Sequence, residues 1–182
     1  MSDGAPVLVT PSLIELDAPE FKEISSWRFA DDYVGRLLSS DIPQRAVYGN
    51  GLIFGYRDPG GLLVGFGTID VCDDYRSYAD GQMHTYIPLL AVNETMQGKG
   101  FGRSILHHLI AEAALARQRA GNCHEVLFLD VYVDNGKAIS LYEKCGFRRI
   151  TTEPIQDPDE NGRFYVVMAK RIAISFTLRQ ID

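Results

Sequence analysis

The segment Gln97-Gly98-Lys99-Gly100-Phe101-Gly102 places three glycines and a lysine between an apolar run, Leu89 to Val92, and an amphipathic run, Ser104 to Ala116. Glycine weakens regular structure and is used where another group must approach the backbone closely. A helix start presents unpaired N–H groups and the positive end of the helix dipole, so a glycine-rich turn at that point suits a phosphate. Lys99 and Arg103 either add charge to such a ligand or stand as solvated surface charges, and spacing alone leaves both readings open. Two phosphate motifs fail on the spacing. A Walker loop needs a glycine where Asn93 stands and a Ser or Thr where Gly100 stands, and a dinucleotide turn needs a glycine at Arg103. A plain glycine-rich connection is the remaining structural reading.

The elements that must position this turn are legible from periodicity. Residues 6–17 alternate loosely and hold one strand, and 18–41 carry Phe21, Ile24, Trp27, Val34, Leu37 and Leu38 near helical spacing, which predicts one or two helices. Residues 51–71 read as a hairpin around Arg57-Asp58-Pro59-Gly60-Gly61. A polar acidic loop, 72–82, leads into a strand over 83–92, where Pro88 demands an edge or a bulge because it has no N–H for a ladder. The glycine turn then opens a helix to about Arg119, with Ile105, Leu106, Leu109, Ile110 and Ala113 on one side. A buried strand over 125–133, a short helix over 135–147 capped by Asp134 or Asn135 and ended by Gly146, and a last strand over 163–176 complete the chain. Antiparallel strands followed by strand–turn–helix–strand–helix predict an α/β fold with a mixed sheet.

Bulk properties narrow the function classes. The 182 residues are 46% apolar and 23% charged, an ordinary globular composition, and no run is long and apolar enough to span a membrane. The start lacks the build of a signal peptide, so a cytoplasmic location is the expectation. Cys72, Cys123 and Cys145 lack CxxC spacing and read as small buried side chains, with neither a disulfide framework nor a metal site expected. A net charge of −6 argues against DNA as a partner and is compatible with a cationic substrate.

Gln97, Gly100 and Gly102 match the pattern Q/R-x-x-G-x-G/A, and Asn135, Ala138, Leu141, Tyr142, Gly146 and Phe147 match N-x-x-A-x-x-L-Y-x-x-x-G-F. In this order and spacing the pair resembles the GNAT superfamily of acyl-CoA-dependent N-acyltransferases, over about residues 83 to 150. The resemblance implies the GNAT fold, a mixed, mostly antiparallel sheet flanked by helices, as a single domain over residues 1–182. Its splayed central strands, here 83–92 and 125–133, would hold the pantetheine arm of acetyl-CoA as co-substrate. Backbone from Gly98 to Gly102 would take the pyrophosphate, with Gln97, Lys99, Arg103 and Ser104 near the phosphates. Leu90 and Val92 would supply amide donors to the acyl carbonyl and pantetheine, and Asn135 would contact pantetheine or its water while also capping its helix. The implied partners are acetyl-CoA and an amine acceptor, and a homodimer is compatible with the family.

The implied reaction is direct attack of a primary amine on the thioester. A lysine-like amine with a pKa of about 10.4 costs roughly 4.6 kcal/mol to be neutral at pH 7, whereas a thiol leaving group needs only about 2 kcal/mol of help. A base therefore matters more than an acid. Tyr142 matches the family tyrosine that faces the sulfur; by spacing alone, Ala138, Leu141, Tyr142 and Cys145 form an ordinary buried helix face, so the assignment rests on the resemblance. Family members often carry a glutamate eight residues before the last valine of the strand preceding the turn. Counting back from Val92 reaches His84, whose pKa near 6.5 suits proton acceptance. Asp70, Asp73, Asp74 and Glu94 are its rivals, and Asp70 and Tyr86 are expected at the acceptor site. The second function class is a catalytically silent CoA-binding sensor of the same fold.

Overall fold

A computed structural model of the chain describes residues 7–14, 19–27, 51–72, 74–121, 123–158 and 162–172. The helical reading of residues 28–41, the candidate Asp73 and the end of the last strand, 173–176, lie outside these residues. In chain order the elements are β1 (Thr10–Leu13), α1 (Pro19–Ser25), β2 (Leu52–Arg57), β3 (Leu63–Cys72), β4 (Met83–Tyr86), β5 (Leu90–Val92), α2 (Phe101–Ala120), β6 (Cys123–Tyr132), α3 (Gly136–Lys144), β7 (Arg148–Arg149), β8 (Ile155–Gln156) and β9 (Phe164–Arg171). They build one nine-stranded sheet in the order β1-β2-β3-β4-β6-β9-β7, with β5 on β3 and β8 on β9. Among the described strands only β4 and β6 pair in parallel. This is the mixed, mostly antiparallel α/β sheet expected from the sequence. No described helix is long and apolar enough to cross a membrane.

The hairpin turns where its residues require it. The Asp58 carboxylate accepts from the N–H of both Gly60 and Leu62 at 2.9 Å, which closes the loop between β2 and β3. On β3, Gly65 and Gly67 leave room for the helix above: an added Cβ at either would meet Ile105 Cδ1 at 2.4 Å or Leu109 Cδ1 at 2.6 Å. Ile105, Leu106, Leu109 and Ala113 are fully buried there, so the predicted apolar face of α2 lies against the centre of the sheet. Each buried leucine contributes on the order of 2 kcal/mol.

Side chains on β6 alternate between two environments, as the pleat dictates. Leu127, Leu129 and Val131 join the core beneath α2 and α3. Phe128 points to the opposite face and packs with Ala79, Tyr75 and Tyr86 beneath the 72–82 loop. That loop is not wholly irregular, because Arg76–Tyr78 form a 3-10 turn.

The expected continuous strand over 83–92 is two strands separated at Ile87–Leu89. The Ile87 N–H still donates to the Phe128 carbonyl at 3.0 Å, whereas the Leu89 carbonyl already accepts from the Thr68 N–H at 2.9 Å. The chain thus leaves β6 at Ile87, and β5 pairs with β3 alone among the described strands. Pro88 sits in the gap and has no N–H to give to a ladder. Meanwhile β6 remains paired with β9 as far as Tyr132 opposite Tyr165. A V-shaped opening through the sheet results between β5 and the end of β6.

Candidate active site

The turn preceding α2 is built as its glycines demand. Gly98 and Gly100 have φ of 76° and 92°, a left-handed region that costs residues with a Cβ about 1–2 kcal/mol. The Gln97 side-chain amide donates to the Val92 carbonyl at 3.2 Å and ties the turn to β5. Among the described residues no protein group accepts from the N–H of Gly98, Lys99, Gly100, Phe101 or Gly102. Five adjacent donors therefore converge at the positive end of a 20-residue helix, a ready anion site. Lys99 is exposed, with Nζ 3.4 Å from Met96 Sδ. Arg103 is half-buried and its charge, after burial, helps hold the His107 pKa down. Ser104 departs from its expected place near the phosphates: its hydroxyl donates to the Val7 carbonyl at 2.6 Å and fastens the N-terminal segment to α2.

The opening in the sheet is a cavity of about 310 Å³. It is lined by Pro88, Leu89 and Leu90 from the β4–β5 break and β5, by Asp130, Val131 and Tyr132 of β6, by Asn135, Ala138, Leu141 and Tyr142 from α3 and its cap, and by Asp157, Pro158 and Tyr165 from the β8 and β9 region. The β3/β5 register, Gly65 with Val92 and Gly67 with Leu90, directs the backbone of Ala91 toward β3. Successive residues alternate their backbone direction, so the N–H groups of Leu90 and Val92 turn toward the opening. Asn135 lines the cavity while its Oδ1 caps α3 by accepting from the Ala138 N–H at 3.1 Å. Tyr142 is 8% exposed and packs its ring at 6.0 Å against Phe147. No described protein group hydrogen-bonds its hydroxyl. Burial first, and the charge of Asp130 second, raise its pKa, so it remains a protonated donor.

Asp130 of β6 brings a carboxylate to the cavity wall, and it escaped the sequence reading because β6 read as a buried strand by its apolar density. The available signal was a single carboxylate within the run Val126 to Val133. Its Oδ1 accepts from the Tyr86 hydroxyl at 2.8 Å and its Oδ2 from the Tyr75 hydroxyl at 3.0 Å. Burial nevertheless raises its pKa above the ordinary carboxylate range, against the pull of both tyrosines and with a further push from Asp157.

His84 does not meet its expectation as the base. It is 0% exposed and absent from the cavity walls. Its Nε2 accepts from the Tyr75 N–H at 3.2 Å, its Nδ1 lies 3.4 Å from the Gln82 carbonyl, and its ring meets Phe128 edge-on at 4.9 Å. It anchors the 72–82 loop. Strand parity explains the miss, since residues 84 and 86 share a face but only the longer Tyr86 reaches Asp130. Tyr86 therefore positions the carboxylate and is not itself on the cavity wall. Asp70 lies across from Tyr86 in the ladder, accepts from the Val71 N–H at 2.8 Å, and is likewise off the cavity wall. Asp74 and Glu94 are not on it either, and Glu94 is exposed beside the glycine turn. Cys72 and Cys145 are buried free thiols; burial pushes the Cys72 pKa up to about 12, so it is no nucleophile.

A sheet parted between β5 and β6, followed by a donor-rich glycine turn and holding a tyrosine and a carboxylate in the opening, is the arrangement expected of an acyl-CoA N-acyltransferase. Residues 11–147 match the Acetyltransferase (GNAT) family, and the chain belongs to it. The N-alpha-acetyltransferase RimI of Mycobacterium tuberculosis is 33% identical over 91 residues, covering 50% of this chain and 49% of that protein. The mycothiol acetyltransferase of Propionibacterium freudenreichii is 30% identical over 109 residues, covering 59% of this chain and 31% of that protein. The chain thus spans a third to a half of the length of these curated relatives. Among solved structures, the Escherichia coli ribosomal-protein-S18-alanine N-acetyltransferase superposes with a TM-score of 0.61 at 24% identity, covering 94% of this chain and 98% of that one, a likeness in fold.

Proposed function

We propose that the protein transfers an acetyl group from acetyl-CoA to a primary amine by direct attack on the thioester. The observation that carries this reading is the opening between β5 and β6, lined by Tyr142 and Asp130, with the free amides of the glycine turn following β5 and Gly102 next to the lining residue Leu141. The amides of Gly98 to Gly102 would bind the pyrophosphate, with Gln97 holding the turn in place and Lys99 and Arg103 adding charge. The pantetheine arm would lie along β5, its amide groups on Val92 and on Asn135, and the acyl oxygen on the Leu90 N–H.

The acceptor would approach from the face covered by the 72–82 loop. Its amine nitrogen forms the new C–N bond as the C–S bond breaks. The amine proton passes to the Asp130 carboxylate, directly or through water, and the departing sulfur takes a hydrogen bond or proton from Tyr142. Tyr75 and Tyr86 orient Asp130 by donating to its two oxygens, and they favour its ionised form against burial.

CoA-thiol release should be followed across a panel of peptide N-termini, polyamines and aminoglycosides. The reading predicts release with at least one amine class and its loss in Asp130→Asn. Tight CoA binding with no release for any amine would instead mark a silent CoA sensor.

A further inference from the structure

Asp130 is held by two hydroxyls that are themselves placed in different ways. The Tyr86 hydroxyl reaches Oδ1 at 2.8 Å from β4, a strand paired on both sides, with Tyr86 opposite Asp70 of β3 and Phe128 of β6. The Tyr75 hydroxyl reaches Oδ2 at 3.0 Å from the 72–82 loop, where Tyr75 belongs to a turn and to no strand. Its ring stacks on Phe128 with centroids 5.8 Å apart, and it meets Tyr86 at 5.4 Å and His84 at 5.8 Å. Its backbone is fixed by His84, whose Nε2 accepts from the Tyr75 N–H at 3.2 Å. Accepting that hydrogen requires a lone pair, so Nε2 is the unprotonated nitrogen and Nδ1 carries the hydrogen toward the Gln82 carbonyl, 3.4 Å away. Cys72 Sγ stands 3.6 Å from the same Nε2, and Cys72 is the ladder partner of His84 on β3. A fully buried imidazole on a doubly paired strand thus gives the loop a fixed point, and that point lies on the residue whose hydroxyl meets the carboxylate.

We propose that His84 is a positioning residue for acetyl transfer, holding the Tyr75 backbone so that the Tyr75 hydroxyl is set on Asp130 Oδ2. His84 is not on the cavity wall and acts only through Tyr75. This rests on the acetyl-transfer reading and adds to it how the loop keeps the carboxylate in its working state. Burial already holds the Asp130 pKa above the ordinary carboxylate range, and the two tyrosine hydrogen bonds work against burial. Removing the Tyr75 bond would therefore raise it further. The titratable groups that face Asp130 are Tyr75 of the loop, Tyr86 of β4, Tyr142 of α3, Tyr165 of β9 and Asp157 after β8.

Carbon-13 NMR titration of the full chain with coenzyme A bound reads the Asp130 carboxyl directly, and Asp130→Asn assigns its resonance. Tyr75→Phe leaves the ring and should raise the carboxyl pKa by about one pH unit, the size of a lost hydrogen bond to a charge. His84→Leu, which cannot accept from the Tyr75 N–H, should raise it likewise, and His84→Gln, which keeps an acceptor, should restore the wild-type value. In the Tyr75→Phe background His84→Leu should add nothing, whereas Tyr86→Phe should add a shift of its own. The acid limb of kcat, measured with the amine of the panel that releases thiol fastest, should move up in step. An unmoved Asp130 pKa in Tyr75→Phe, or in a His84→Leu chain that still binds CoA, overturns the proposal, as does a fully additive shift in the double variant. Wild-type hydrogen exchange tests it without any variant: the Tyr75 amide should exchange slowly, and exchange at the rate of a free peptide overturns the proposal. Carboxyl shifts as predicted, with no thiol release from any amine, would uphold the contact between loop and carboxylate and overturn the acetyl-transfer reading.

Discussion

At the scale of single residues, Asp130 is held between opposing effects. Two tyrosine hydroxyls favour its carboxylate, and burial and Asp157 favour its acid, with burial prevailing. A carboxyl whose native pKa exceeds its unfolded value of about 3.9 binds more protons when folded, so its contribution to stability declines as pH rises between those values. Once ionised, the group therefore destabilises the fold. Asp130→Asn should raise the melting temperature at pH 7, with the gain vanishing below the unfolded carboxylate pKa, while acetyl transfer collapses. Thermal melts at pH 3.5 and 7 beside thiol-release rates check both halves. For the wild type, the acid limb of kcat should lie above the ordinary carboxylate range, because only the ionised form takes the amine proton. Tyr142→Phe retains the packed ring and loses only the hydroxyl. Since the leaving thiol needs about 2 kcal/mol, kcat should fall by up to about thirtyfold with CoA affinity unchanged. Steady-state kinetics beside CoA titration separates those effects.

At the scale of elements, the break between β4 and β5 and the seating of α2 set the cavity. Gly65 faces both: a Cβ there would lie 2.4 Å from Ile105 Cδ1 and 2.8 Å from the Ala91 carbonyl. Gly65→Ala should cost about 1–3 kcal/mol, as overpacking does, and raise the KM for acyl-CoA by displacing β5. Urea denaturation with parallel kinetics tests this; an unchanged midpoint would show that α2 is not held by that glycine. Gly136 has open space around its Cβ position, and Gly136→Ala should leave the midpoint unchanged or raise it. The sequence displayed the elements well because local patterns encode them: alternation in β2 and β3, the apolar stripe of α2, and the Asn135 cap of α3. Pro88 announced an irregularity in the 83–92 run. The place of the cavity carboxylate Asp130 was not legible. It depends on which of two faces β6 shows to the 72–82 loop, and on cross-strand partners Tyr75 and Tyr86 that are 55 and 44 residues away in the chain. β7 and β8 were not legible either, because two residues carry no period.

At the scale of the molecule, the proposed reaction needs the parted sheet to bring two substrates to one point from opposite faces. The helix side presents the glycine turn and α3, and the loop side presents Asp130 held by Tyr75 and Tyr86. With a net charge of −6 and Asp130 and Asp157 on the cavity wall, kcat/KM for a cationic amine should fall with added salt through KM. Stopped or continuous thiol assays across ionic strength would register it. All of this requires acyl-CoA to lie in the opening with its pyrophosphate on the turn. The most direct test is calorimetric titration of coenzyme A into the wild type and into Gly100→Ala, whose φ of 92° and whose neighbour Val7, 3.0 Å from the added Cβ, make the change local to the turn. Saturable one-to-one binding, weakened about tenfold in the variant by the cost of the left-handed backbone, is the predicted result. No saturable binding by the wild type, or equal affinity in a folded variant, would contradict it.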